Sequence, residues 1–192
     1  NNRVNYNTIK SNFYGLLFLY SNSCVVTANT IKDSRYYGTS IVYSTGNIFF
    51  HNNFVSNQVQ AFIVNSANMW NESVEGNYWS DYAGVDFYSG PYQNKTGSDG
   101  IGDSEHTIDA NNIDHHPLMG MFYRFNVTWQ KRTYHVNVIS NSTVSDLDFG
   151  EIFILETSKF WEAIFFHVTG SSDSIGFCRI CIPTALMNGT YK

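Results

Sequence analysis

Hydrophobic positions in the first eighty residues come in short runs, such as Val25-Val26 and Ile48-Phe49-Phe50, each closed off by Asn, Ser or Gly. Runs of that length between turn formers read as strands rather than helices. The runs also repeat. Asn7-Thr8-Ile9 returns as Asn29-Thr30-Ile31, and the register continues through Asn53-Phe54-Val55 to Asn77-Tyr78-Trp79, at spacings of 22, 24 and 24 residues. Tyr14-Gly15-Leu16 returns as Tyr37-Gly38-Thr39, and serine turns around Ser23 and Ser44 precede the two runs named above.

A unit this short cannot bury its own apolar face, so it must stack on copies of itself, which is the mark of a solenoid. Three short strands per unit predict a parallel β-helix whose coils rise about 4.8 Å. Ile9, Ile31 and Phe54 then stack inside, while Asn7, Asn29, Asn53 and Asn77 form a column at a corner. Asn suits a corner because its amide bonds up and down the stack and because it tolerates left-handed backbone angles. A leucine-rich repeat has a similar period, but its leucine pattern is absent after Leu19.

From Phe122 the pattern changes to longer alternating strands: Phe125-Val127-Trp129, Tyr134-Val136-Val138, Ile152-Phe153-Ile154 and Ile164 to Val168. Polar turns at Ser140-Asn141-Ser142 and Gly170-Ser171-Ser172-Asp173 separate them, which predicts an antiparallel sandwich. The expected division is therefore coils over 1–80, an acidic loop and cap over 81–121, and an Ig-like sandwich, incomplete, over 122–192. The chain opens in repeat sequence and stops without a terminator, so it reads as a piece of a longer protein.

Composition narrows the function classes. Charged residues make up 14% and the formal charge is −5, which leaves no basic stripe for a nucleic acid. Of 22 Asn, 15 precede residue 81, where the only acids are Asp33, Glu72 and Glu75. Glycosylation-type triplets at Asn71, Asn94, Asn126, Asn141 and Asn188 point to an extracytoplasmic setting, secreted, periplasmic or on the cell surface. No apolar run reaches a membrane span, and no signal segment opens the chain. Cys24, Cys178 and Cys181 form no disulfide framework, and the lone C-x-x-C lacks the second pair of a zinc site; Cys178 and Cys181 read as two packed cysteines.

Between residues 81 and 114 there are seven carboxylates against one lysine. Oxygen-rich loops interrupted by glycine suit calcium, and the expected ligands are Asp81, Asp86, Asp99 and Asp103 with the Ile101 carbonyl. No EF-hand is present. His106, His115, His116, Met119 and Met121 carry copper-type donors, but adjacent histidines are more often capping residues than ligands, and copper is not expected.

Gly76-Asn77-Tyr78-Trp79-Ser80-Asp81-Tyr82, then Asp99-Gly100-Ile101-Gly102-Asp103, then Asp114-His115-His116-Pro117-Leu118-Met119 together resemble the end of NosD-like right-handed parallel β-helix domains of bacterial and archaeal surface proteins. The family reads GNYWSDY, an aspartate-rich D-G-I-G-D turn and D-x-Y-P-L-M. Lys95-Thr96-Gly97-Ser98 departs from the usual aspartates, and His116 stands in place of an aromatic. The resemblance covers about residues 1–120 and implies an all-β fold; the NosD name also belongs to a periplasmic factor of copper enzyme maturation. The tract from Phe166 to Asn188-Gly189-Thr190 resembles a module that follows such β-helices.

Many β-helices act on polysaccharides, but glycoside hydrolysis needs two carboxylates about 5–9.5 Å apart. Asp33 meets no acid in the next coil, and Glu72 and Glu75 read as a coil end, so no catalysis is expected; a lyase or hydrolase is the alternative. No serine elbow, zinc helix or phosphate loop occurs. Tyr20, Tyr36, Tyr37 and Tyr43 are candidates for stacking on sugars, and the expected partners are envelope glycans or other envelope components.

Overall fold

The computed structural model of the protein describes residues 2–173 and 175–187, and among these there is no helix. The chain forms two units, Asn1–Phe122 and Tyr123–Lys192.

In the first unit each repeat lays down three strands. β1 (Arg3–Asn5), β2 (Thr8–Lys10) and β3 (Tyr14–Leu19) make one coil; β4 (Val25–Thr27), β5 (Thr30–Lys32) and β6 (Tyr37–Val42) make the next; β7 (Ile48–Phe50), β8 (Asn53–Val55) and β9 (Val59–Val64) make the third. Like strands pair in parallel, and β10 (Tyr78–Trp79) adds a fourth strand to one sheet, so the unit is a parallel β-helix. Inward positions stack as Val4, Val26, Phe49 and as Ile9, Ile31, Phe54, Trp79. The interior therefore changes from aliphatic to aromatic along the stack, with Phe49 on Trp70 and Phe54 on Trp79, both at 4.4 Å between ring centroids.

The observed register departs from the expected one at one rung. Thr30 pairs with Asn53, so Asn52, not Asn53, belongs to the asparagine column. The inward Ile31–Phe54 pair fixes this register, because a one-residue slip would turn Phe54 outward. The stacked serines are likewise Ser21, Ser44 and Ser66 rather than Ser23 and Ser44, each amide donating to the next hydroxyl at 2.9 Å. Nor do the column asparagines take the left-handed angles. The residues just before them do: Tyr6, Ala28 and His51. Two further corners repeat the device at Ser11, Asp33, Ser56 and at Tyr20, Tyr43, Asn65. Stacking holds these side chains in a region that costs on the order of 1 kcal/mol each, since corner amides bond to the next coil, as Asp33 N–H does to Val55 O at 3.1 Å.

A cap follows the coils. β11 (Tyr88–Ser89) and β12 (Lys95–Thr96) form one small hairpin, and β13 (His106–Asp109) and β14 (Asn112–Asp114) another. In the second unit β15 (Met121–Trp129), β16 (Arg132–Ser140) and β19 (Cys178–Cys181) form one sheet, and β17 (Thr143–Ile154) with β18 (Lys159–Thr169) a second. Val127, Val136, Val138, Val144, Leu147, Phe149 and Leu186 form its core, as a sandwich requires. Gln130 and Lys131 make the tight turn between β15 and β16, both with positive φ.

Candidate functional site

Two places in the first unit combine exposed or polar chemistry with fixed geometry: the outer face of one sheet, and the end of the coils.

The strands β3, β6 and β9 carry no charged residue. With Phe18, Ile41 and Ile63 turned inward, the alternation of a strand puts Leu17 and Phe62, and Leu19 with Val42 and Val64, on the outside. Tyr20 is 70% exposed and Leu17 63%. Aromatic columns border this strip, Phe13–Tyr36 with Tyr14 and Tyr37 at one end and Tyr20–Tyr43 at the other. The rings of Tyr20 and Tyr43 stack 5.4 Å apart and nearly parallel, at 5°. Such stacking along the axis turns ring faces toward each other and leaves edges and hydroxyls at the rims. Arg35 is the cation over this region, 5.3 Å from the Phe13 centroid.

At the end of the coils the asparagines act as a second backbone. Asn7 N–H and Nδ2 donate to Asn29 Oδ1, both at 3.0 Å. Asn29 does the same to Asn52 Oδ1, and Asn52 to Asn77 Oδ1. Asn77 then donates from N–H at 2.7 Å and from Nδ2 at 3.2 Å to a carboxylate oxygen, Oδ2 of Asp114. A parallel ladder runs from the Cys24 amide through Asn47 and Asn68 to Asn112. Both ladders thus end on one strand, β14. The two buried indoles end there too, Trp70 Nε1 on Asn112 Oδ1 at 3.2 Å and Trp79 Nε1 on Asp114 Oδ2 at 2.9 Å. Asp114 is fully buried, and burial pushes its carboxyl up to about 6 against the donors that favour the anion. Gly76 leaves the room for it, because a Cβ there would overlap the carboxylate. In the sequence Asp114 is legible only as the first residue of the tract ending in Pro117-Leu118-Met119.

The expected calcium ligands are distributed unevenly. Asp86 accepts from the Asp99 and Gly100 amides, Asp99 from Gly90 and Ile101, and Asp103 from Phe87 and Tyr88, at 2.7 to 3.1 Å. These three carboxylates therefore tie one loop together through backbone N–H groups. Burial raises the Asp86 carboxyl above the usual range, the Gly100 and Asp99 amides oppose this, and the Asp99 and Asp103 charges add to it. Asp81 is exposed, and Ile101 is buried with a backbone bridge to Leu118. Among the described residues no three His, Cys, Asp or Glu side chains converge on one point.

Two of the copper-type donors already have protein partners. The His106 ring lies against Trp79 at 4.6 Å, where burial lowers its pKa against the opposing charge of Asp81, while His115 Nδ1 meets Glu105 Oε2 at 2.9 Å. His115 and His116 line a shallow cleft of about 390 Å³ with Tyr92, Gln93, Asp103 and Glu105.

Glu72 and Glu75 are closer partners than expected. Their backbones bond reciprocally across Ser73-Val74, at 3.0 and 3.2 Å, which makes them an opposed pair on a tight turn. Glu75 also holds His51 Nε2 at 2.6 Å, and Asp33 lies 3.9 Å from Lys32 at an exposed corner. Of the glycosylation candidates, Asn94, Asn126 and Asn141 are exposed, Asn71 is half-buried, and Asn188 lies outside the described residues. Cys24 is buried, whereas Cys178 and Cys181, expected to be packed, are exposed, because β19 lies at the end of its sheet.

Comparison with protein families matches residues 1–84 to NosD, described as a periplasmic copper-binding protein. No curated protein and no solved structure matches the chain.

Proposed function

We propose, from the premise that residues 1–84 form a NosD-like parallel β-helix, that the chain is a non-catalytic extracytoplasmic scaffold docking to an envelope component through the outer face of β3, β6 and β9. The periplasmic family supports the location. The observation that carries the docking role is that face: uncharged strands, with Leu17, Leu19, Tyr20 and Phe62 in solvent. Contiguous exposed apolar patches on soluble proteins mark interaction sites. An aliphatic centre suits an apolar protein surface. A second reading, polysaccharide binding, is favoured by the rims, where Tyr14, Tyr20, Tyr36 and Tyr43 are exposed and tipped with hydroxyls.

Binding of the full chain to isolated envelopes separates the two readings. Docking to protein predicts loss of binding after protease treatment of the envelopes, and loss with Leu17→Glu plus Phe62→Glu. Binding that survives both, but disappears after glycan digestion and with Tyr20→Ala plus Tyr43→Ala, replaces the first reading by the second. No binding in any arm overturns both.

The non-catalytic reading is supported by the pairing of two of the three acids of this region, Asp33 with Lys32 and Glu75 with His51. Release of reducing ends from a polysaccharide, abolished by Glu72→Gln, would promote the hydrolase or lyase alternative. A calcium ion in the acidic loop belongs to the same reading. Its support is the density of carboxylates, against which the amide bonds of Asp86, Asp99 and Asp103 compete. Copper, which the family description names, gains no support from this chain's histidines.

A further inference from the structure

Four of the five Asn-X-Ser/Thr triplets fall in the described residues, and the fold treats them differently. A glycan is joined to the side-chain nitrogen of Asn, so that nitrogen must be accessible and the triplet must be able to leave its strand. Asn71 is half-buried and donates from Nδ2 to Ser73 O at 3.1 Å. Asn141 donates from Nδ2 to Ile175 O at 3.2 Å, and its Oδ1 accepts from the Phe177 amide at 2.9 Å. Asn126 lies inside β15 with its Oδ1 on His135 Nδ1 at 2.8 Å, and the middle residue of its triplet is Val127, fully buried in the core of the second unit. Withdrawing that triplet would unpack the sheet.

Asn94-Lys95-Thr96 meets none of these obstacles. All three residues are exposed, and no hydrogen bond to a described residue engages the Asn94 amide. Lys95 and Thr96 form β12, which among the described residues pairs with two-residue β11 alone, and a hairpin so short opens readily. The turn just before it is closed by Gln93 N–H on Gly90 O at 3.0 Å, with a positive φ at Gln93. It carries Tyr92, which is 83% exposed and two residues ahead of Asn94.

We infer that Asn94 is the residue at which this chain carries an N-linked glycan, with the first sugar ring laid on Tyr92. In the transfer, Asn94 Nδ2 bonds to the anomeric carbon of a lipid-linked oligosaccharide. The bond from that carbon to the lipid phosphate breaks, the phosphate leaves with the bonding pair, and a base of the transferase takes the amide proton. A sugar ring packs its C–H face on an aromatic face while its hydroxyls and the phenol stay in water. The inference rests on the extracytoplasmic part of the reading above and not on the docking face.

Transfer in vitro tests the acceptor apart from the location. The folded full chain is treated with a lipid-linked oligosaccharide and its oligosaccharyltransferase, and glycopeptide masses map the sites; peptides spanning the four triplets read acceptance without the fold. The expected result is transfer to all four peptides but, in the folded chain, to Asn94 alone, and its loss with Asn94→Gln. Hydrogen exchange at the Gly97 amide, which donates to Phe87 O across the hairpin at 2.9 Å, should slow about fivefold on glycosylation, and Tyr92→Ala should remove that slowing. A folded chain left bare at Asn94, whether or not its peptide is accepted, overturns the inference, as does equal transfer to Asn126 or Asn141. Slowing that persists in Tyr92→Ala overturns the packing on the ring.

Discussion

Fully buried Asn29, Asn47, Asn52 and Asn77 lie in the coils beside Phe49, Phe54, Trp70 and Trp79, whereas in the second unit Leu155, Phe160 and Trp161 lie in water. Both regions are built of strands, yet polar groups sit inside one and rings sit outside the other. The coils tolerate buried amides because each is bonded on both sides, to the next amide and to backbone carbonyls such as Val26 O and Phe50 O. A buried polar group that keeps all its partners costs little and fixes the register. The β17–β18 pair has no such third dimension. Its base packs on the core through Val144, Leu147 and Phe149, but its tip belongs to a sheet that has two strands among the described residues. Directly opposed Glu151 and Glu162, as like charges, weaken that tip further.

This contrast predicts where substitutions hurt. Asn52→Ala strands the amide and side-chain donors of Asn29 and frees two carbonyls, so denaturant unfolding of the first unit should lose about 4 kcal/mol. A loss under about 1 kcal/mol would mean that the aromatic interior, not the ladder, holds the coils. Asp99→Asn removes a charged acceptor from the loop amides, and the expected loss is about 1 kcal/mol, measured in chelator. If the loss shows only with calcium present, the carboxylate serves an ion rather than the loop. Smallest of all, Leu155→Ser with Phe160→Ser should change the unfolding free energy by about 0.5 kcal/mol or less, while reducing self-association in light scattering. A melting drop of more than about 10 °C would show that the tip is covered after all.

The coil architecture was legible because stacking imposes a period, and Ile9, Ile31 and Phe54 obey it. The slip from Asn52 to Asn53 arose where His51-Asn52-Asn53 offers two asparagines to one corner and only the inward neighbour decides between them. Left-handed corners were misassigned for a related reason: the stack, not the residue type, imposes the angle, so Tyr6, Ala28 and His51 share it without a common chemistry. Asp114 had no periodic signal. It is 37 residues beyond Asn77 and arrives on an antiparallel hairpin, where no repeat spacing applies. Glu72 and Glu75 were missed as a pair because a tight turn, not a coil, opposes them.

The amide ladder also has a direction, since each rung's backbone N–H and one Nδ2 hydrogen reach the oxygen of the next rung, while its own Oδ1 accepts from the rung before. Seen as a growing polymer, the stack carries a hydrogen-donating end that templates one more monomer of any sequence able to accept. Asp114 satisfies that end with a side chain that, as the anion, has no hydrogen of its own to pass on, and so behaves as a terminating monomer. A structure made of similar, mutually adhesive layers thereby acquires a fixed length at this end.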